Sequence, residues 1–433
     1  MLLLLFAILL LAIAVIVFQS GVFKGALFIL IMVLFMAPFG LTQVSSTSHV
    51  GVAQGQPQLT LPLLLAVIFA GIFIVRQRKN TGVRLIAIPI IYLILAWVLI
   101  WQHSATVNAG FIHYLGGGVV WFVGYTIAKY RQADVTWDRH ISVAIFAVLL
   151  LEFVVVSAQM MGLSVGVFGE AQVAGNIMRP GGTFGHPGNL GKALLLILPF
   201  VFQFVRSADV LARRVSKCSL SLVILMTALT FGRANMIGVV IAVLLWIVLN
   251  KNKNGLDAKF KSIFLLILIC LPFFSIYLLR FEDDPTGGER PELQSEALMQ
   301  ISQNLWGGTG PNNYVEVVGR WASSTSAGFP VHNAFLLLVA EMGVIGALSF
   351  LFPFVVVVIL SLRSLSSSRA TVESPMIYFV AIIPGIIIAA ASGWGLLSGN
   401  VYLLACIVFS YTAGSWARDR HSFRANAKSS VVV

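Results

Sequence analysis

Apolar, uncharged stretches of about 17–22 residues recur along this chain, each long enough to cross a hydrocarbon core as a helix. A hydrophobic fraction of 58%, a charged fraction of 10% and a mean hydropathy of +0.94 exclude an ordinary soluble domain. The expected fold is an all-α integral membrane protein of about 12–14 transmembrane helices. It forms a single polytopic domain over 1–433, with a large extracytoplasmic loop at 280–332 that bears short amphipathic helices. Spans are expected at 2–18, 22–42, 60–75, 83–101, 107–128, 141–164, 190–206, 217–232, 233–250, 261–279, 333–362, 375–394 and 399–416. The first stretch lacks a basic leader and a small-residue cleavage site, and a second apolar run follows at once, so it reads as a retained span. Cys218, Cys270 and Cys406 lie inside apolar runs and offer neither metal spacing nor a disulfide framework.

A net charge of +12 raises the question of nucleic acid, which the distribution of the charge answers in the negative. All but six of the 28 lysines and arginines fall at Lys24, in the links after alternate spans and in the C-terminal tail. That side is expected to be the cytoplasm. The six are Arg179, Lys192, Arg233, Arg280, Arg290 and Arg320, all on the outer face or at outer span ends. A cation near the hydrocarbon costs about 2.5–3.5 kcal/mol on insertion scales, so their retention points to a bound anion. The alternative is salt bridging to Glu282, Asp283, Asp284, Glu289 and other loop acids.

Two outer intervals are long. The first holds RPGGTFGHPGNLG (179–191), a turned loop leading into a helix whose N-terminus faces outward. The second holds PELQSEALMQISQNL, in which Leu293, Ala297, Ile301 and Leu305 share one helical face. A short amphipathic helix on the membrane surface is expected there, ended by Gly307 and Gly308, with GTGPNN as a turn.

His332 is the foremost candidate for a base: it stands at the mouth of a span, between Val331 and a helix-capping Asn333, and histidine accepts a proton near neutral pH. Arg233, in TFGRANMIG at an outer turn, needs Glu152, Glu341 or an anionic ligand as partner. Arginine's planar fork grips phosphate oxygens bidentately, and Arg290 and Arg179 are placed to join it. Arg280, Arg320, His186 and Glu341 are secondary candidates. One base and several arginines suit glycosyl transfer from a lipid diphosphate, whose leaving group is stable as an anion and needs cations rather than an acid. The paired carboxylates of a glycosidase are not needed. No metal or other cofactor is expected; the alternative is a metal held by Asp283 and Asp284.

The order RPGGTFGHPGNLG, TFGRANMIG, Arg290 to Gly310 as R-x10-I followed by GGTG, and HNAFLLLVAEMGVIG resembles the O-antigen ligase and O-antigen polymerase superfamily, over about residues 60–415. The resemblance implies a metal-independent, inverting glycosyltransferase of the cell inner membrane. It would move a glycan from undecaprenyl diphosphate to a sugar hydroxyl on the face towards the periplasm or cell exterior. Its partners would be the donor, an acceptor glycolipid or lipid-linked glycan, and membrane lipids, with no nucleic acid. His332 then matches the family's proposed base, Arg233 and Arg290 its diphosphate-binding arginines, and Arg179 a basic position of its polymerases. Two features depart from the pattern: an odd span count places the N-terminus outside, and Arg233 follows Phe-Gly. The GTFGHP loop leans towards a polymerase over a ligase to lipid A–core. A transporter or flippase is the alternative from another class; it predicts repeated halves and midplane charges, and neither is evident.

Overall fold

Helices follow the apolar pattern almost span for span. The computed structural model describes residues 21–35, 60–76, 82–131, 135–165, 170–174, 177–249, 288–366 and 375–429. Each expected span contains a helix, apart from 2–18 and 261–279, which lie outside the described residues. They are α1 (Val22–Phe35), α2 (Leu61–Arg76), α3 (Ala87–Leu99), α4 (Ala105–Tyr130), α5 (Val135–Met160), α6 (Pro187–Val205), α7 (Val210–Leu229) and α8 (Arg233–Leu249). After the outer loop come α12 (Ala334–Ser366), α13 (Pro375–Ala391) and α14 (Gly399–Ser429). The outer loop itself supplies α9 (Arg290–Gln303), α10 (Tyr314–Val318) and α11 (Ser323–Ser326). A hairpin of β1 (Gln172–Ala174) and β2 (Ile177–Arg179) precedes α6. Among the described residues, four helical stretches are long and apolar enough to cross a membrane: Ala105–Tyr130, Thr136–Met160, Pro187–Val205 and Ala334–Leu365. The protein is an all-α membrane protein.

At the centre stands α6, buried along nearly its whole length and packed against α5, α7, α8, α13 and α14. A helix that is apolar all round has no solvent face and belongs inside. Small residues let its neighbours close up: Gly238 of α8 lies against Gly385 of α13, where an added Cβ on Gly385 would sit 2.7 Å from the Gly238 carbonyl. The periphery is apolar and exposed, with Ile91, Leu95 and Leu99 of α3 and Leu348, Phe352 and Val355 of α12 facing outward, as lipid-facing surfaces do.

The bundle has two chemically different ends. At one, Lys24 bonds Thr136 (2.5 Å), Arg131 pairs with Asp138 (2.8 Å), and Arg139 pairs with Asp209 (2.6 Å). At the other, the carbonyl of Phe35 accepts from Thr183 and that of Leu34 from Asn400. Because α1 runs from Lys24 to Phe35, and α6 from the Gly-rich loop to Ser207, the described basic residues Lys24, Arg131, Arg139 and Arg213 lie at one end and Arg179, Arg233, Arg290 and His332 at the other.

One span is not a single helix. Gly343 breaks α12 at φ 69° and ψ 174°, a backbone conformation that only glycine adopts readily. The break leaves carbonyls of the preceding turn without helical donors, and the outer loop supplies them. Thr309 N–H donates to Ala340 (3.0 Å) and Gly310 N–H to Glu341 (2.8 Å), Val344 N–H donates back to Leu305 (2.9 Å), and the Tyr92 hydroxyl donates to the Met342 carbonyl (2.8 Å). Gly308, at φ 65°, lies so close to the Glu341 backbone that any side chain would collide with it. The GGTG turn is therefore a plug in the kink of α12.

This docking revises the expected amphipathic helix. Leu293 and Ala297 are buried and Ile301 half-buried, yet Leu305 lies beyond the helix end and is 40% exposed. The helix stops at Gln303, before the glycines, because the Asn304 side chain accepts from Gly307 N–H and donates to the Gly308 carbonyl. Its inward face rests on α12 rather than on a membrane surface alone.

Candidate functional site

The site forms where α6 begins. His186 caps that helix: its Nδ1 accepts from the Gly188 amide at 3.0 Å, and Pro187 follows at the first helical position, which needs no amide. With Nδ1 committed, the neutral ring carries its proton on Nε2. The preceding turn (Gly182–Phe184) is clamped to α5. Thr183 donates to the Glu152 carboxylate from its amide (2.8 Å) and its hydroxyl (2.7 Å), and Gly182 N–H donates to Gln159 (2.8 Å). Glu152 and Gln159 lie two turns apart on one face of α5, so a single helix face holds the loop. Gly182 presses so closely on Glu152 that a side chain there would meet the carboxylate.

Two further elements reach this corner. Arg179 ends β2 and donates from Nε to the Thr230 carbonyl (3.2 Å), tying the hairpin to the turn between α7 and α8. That turn delivers Arg233 to the first position of α8. Asn235, in the same helical turn, donates to the Gly188 carbonyl at 3.1 Å and packs against Gly191, which joins the start of α8 to the start of α6.

Arg290 and His332 arrive on the outer loop, held by carboxylates. Glu296 accepts from the amides of Ser324 (3.2 Å) and Thr325 (3.2 Å) and from the Thr325 hydroxyl (2.6 Å), while Glu292 accepts from the Ser324 hydroxyl (3.0 Å). These acids are four residues apart on α9, hence on one face, and they fold the chain back so that its far end returns beside Arg290. The loop is also stitched to α4: Thr106 bonds Asn313 (2.9 Å) and Glu316 (2.8 Å), and Trp101 Nε1–H donates to the Gly307 carbonyl (2.8 Å). Asn333 caps α12 by accepting from Phe335 N–H (2.9 Å) and Leu336 N–H (3.2 Å), which sets half-buried His332 at the helix mouth.

The electrostatics of the corner have one sign. Burial pushes the His332 imidazole down to about 4, with Arg290 and then Lys192 acting in the same direction and the Pro330 carbonyl opposing. His186 is also drawn down to about 4, first by desolvation, then by Lys192, Arg179 and His332. Both rings are neutral at pH 7, and the charges that act on them are cations. Nδ1 of His332 is buried with no hydrogen-bond partner among the described residues. Such a corner can bind an anion and accept a proton.

Residues 218–351 match the family model described as O-Antigen ligase. Those residues are similar to that family. No curated protein matches the chain. The match covers less than half of the sequence, but Arg233, Arg290 and His332 all fall within the matched segment, whereas Arg179, His186 and Lys192 precede it.

The other sequence candidates lie elsewhere. Arg320 is exposed and pairs with Glu316 (3.3 Å) on the surface, the salt-bridge alternative raised by the sequence. Glu341 is fully buried at the kink of α12, where its backbone carbonyl accepts from Gly310 N–H. Arg280, Asp283 and Asp284 lie outside the described residues. Lys192 joins the corner as well, and its sequence signal is a cation interrupting an otherwise apolar span; it is only 5% exposed and acts on His332. Glu292 and Glu296 carry no sequence signal, since acids on an exposed helix face usually serve solubility.

Proposed function

We propose that the protein is a glycosyltransferase of the O-antigen polymerase or ligase type that uses a polyprenyl-diphosphate-linked donor. The observation that carries this reading is the convergence of Arg290, Lys192 and Arg179 on two neutral imidazoles at the end of the bundle opposite Lys24, Arg131 and Arg139. The pyrophosphate binds among Arg290, Arg233 and Arg179. His332 takes the proton of the acceptor hydroxyl as its oxygen attacks the anomeric carbon; the bond from that carbon to the phosphate oxygen breaks, with inversion, and the polyprenyl diphosphate leaves as an anion. Binding of the donor also prepares the base. Burial holds the imidazole low, and Arg290 and Lys192 add to it, so a diphosphate that neutralises these cations raises its basicity when substrate is present. Among the two acceptors, we favour a second lipid-linked glycan over lipid A–core, on the strength of the GTFGHP loop. The site would face the periplasm or cell exterior from the inner membrane, since basic links mark the cytoplasmic side.

The test is His332→Ala in membranes supplied with lipid-linked donor. Transfer should disappear while expression and donor binding persist; undiminished polymer length or ligation would remove His332 as the base.

A further inference from the structure

Lys192 enters the chemistry above only through its effect on His332, yet its surroundings are unusual for a cation. It lies in the second turn of α6, the most buried helix of the bundle, with 5% of its surface exposed. Its one hydrogen bond among the described residues is a long one, from Nζ to the Gly188 carbonyl at 3.4 Å. No carboxylate pairs with it there, and the charge acting on it is another cation, Arg290. Near the hydrocarbon an unpaired ammonium is expensive, and the positive end of the helix makes it no easier to hold.

Two glycines lie close beside the ammonium. The turn after α13 runs Gly393-Trp394-Gly395 and passes over Lys192. A Cβ on Gly393 would lie 3.5 Å from Nζ, and one on Gly395 would lie 3.4 Å from Nζ and collide with the Asn189 amide oxygen. Alanine at either position would press on the lysine. The ammonium is thus bordered by two glycines, and Arg290 and His332 are near enough for the charges to act on one another.

We infer that Lys192 is an anion-binding residue that takes an oxygen of the donor's diphosphate, beside the Gly393–Gly395 turn. This rests on the diphosphate reading above and adds to it a cation contributed from outside the matched segment. The ammonium, a compact charge, complements the planar forks of the arginines: one holds a phosphate oxygen while the other fixes its orientation. A buried charge that waits for its counter-ion is a liability in the empty protein. Its neutral replacement should therefore be no less stable, yet unable to bind.

The test measures thermal unfolding of the purified full chain in detergent, with inorganic phosphate, inorganic pyrophosphate or farnesyl diphosphate, for wild type, Lys192→Met, Gly395→Ala and Arg320→Gln. Wild type and Arg320→Gln should be stabilised most by farnesyl diphosphate, less by pyrophosphate and not by phosphate. Lys192→Met should match or exceed wild type in the absence of ligand, while its affinity for both diphosphates falls at least 10-fold; Gly395→Ala should weaken the same ligands. If Lys192→Met unfolds earlier than wild type and binds the diphosphates equally well, the lysine is structural and the inference falls, with the diphosphate reading intact. Failure of wild type to bind either diphosphate would overturn both, and equal stabilisation by phosphate alone would overturn the assignment to a diphosphate.

Discussion

Replacing Gly343 by alanine should detach the outer loop from the bundle without unfolding the bundle itself. At φ 69° and ψ 174° an alanine is strained by about 1–3 kcal/mol. Its Cβ would also collide with the Trp306 carbonyl, which is main chain and cannot swing aside. Relief requires the loop to move off, and that breaks the bonds from Thr309 to Ala340, from Gly310 to Glu341 and from Val344 to Leu305, each worth about 1 kcal/mol net. Together the local cost is about 4–6 kcal/mol, against a loop still tied by Trp101, Thr106, Glu292 and Glu296. A local penalty of about 3 kcal/mol multiplies the open population by more than 100, because about 1.4 kcal/mol is a factor of ten. Hydrogen exchange in detergent reads this directly: the Thr309 and Gly310 amides should exchange more than 100-fold faster in the variant, with amides of α6 unaffected. Glycan transfer should fall in parallel, since Arg290 rides on the same loop. Gly71→Ala, where the added atom meets nothing within 4 Å, is the control. Wild-type exchange at Thr309 and Gly310 in Gly343→Ala would refute the plug.

Arg233→Lys and Arg290→Lys should each weaken donor use roughly 10-fold or more, because an ammonium cannot replace a bidentate fork; unchanged donor affinity contradicts the assignment. Glu296→Ala removes the acceptor for two amides and a hydroxyl, and should lower transfer while leaving insertion into the membrane and the exchange of α6 amides unchanged, which peptide-level hydrogen exchange checks. The acid limb of kcat/KM, which reports the free protein, should lie near pH 4 rather than 6.5, because His332 is depressed and must be neutral to act. The stability sign agrees. The unfolded imidazole binds its proton more readily, so the contribution of His332 is complete above about pH 6.5 and is lost as pH falls towards 4. A limb that stays at 6.5 in wild type would show that the cations do not act on the base. Chelator should leave transfer unchanged, and inactivation by it would direct attention to Asp283 and Asp284.

Span positions were legible because a membrane segment announces itself through length and lack of charge, and no tertiary contact is needed to decide it. The end of the bundle that carries the candidate site was legible for a related reason: lysine and arginine are sorted by side, so six exceptions stood out. His332 could be singled out by its place at a helix mouth, and the Asn333 cap follows from its side chain. Less could be read where geometry arises between elements. GTGPNN read as a surface turn, but its glycines answer a break nine residues into α12 that no periodicity reveals. Glu152 read as an intramembrane acid seeking a cation, and instead it receives the hydroxyl and amide of Thr183.

By itself, then, the order of apolar and basic segments determined that the chain is a helical membrane protein with one unusual cationic face. That follows from the transfer cost of each residue, which is a local property. Only the tertiary structure decided that Lys192 stands with Arg290 and His332, that Arg320 pairs with Glu316, and that Glu292 and Glu296 hold the loop in place. Those outcomes depend on which helix ends meet, and contact between residues distant in sequence is set by packing and backbone hydrogen bonds that hydropathy does not encode.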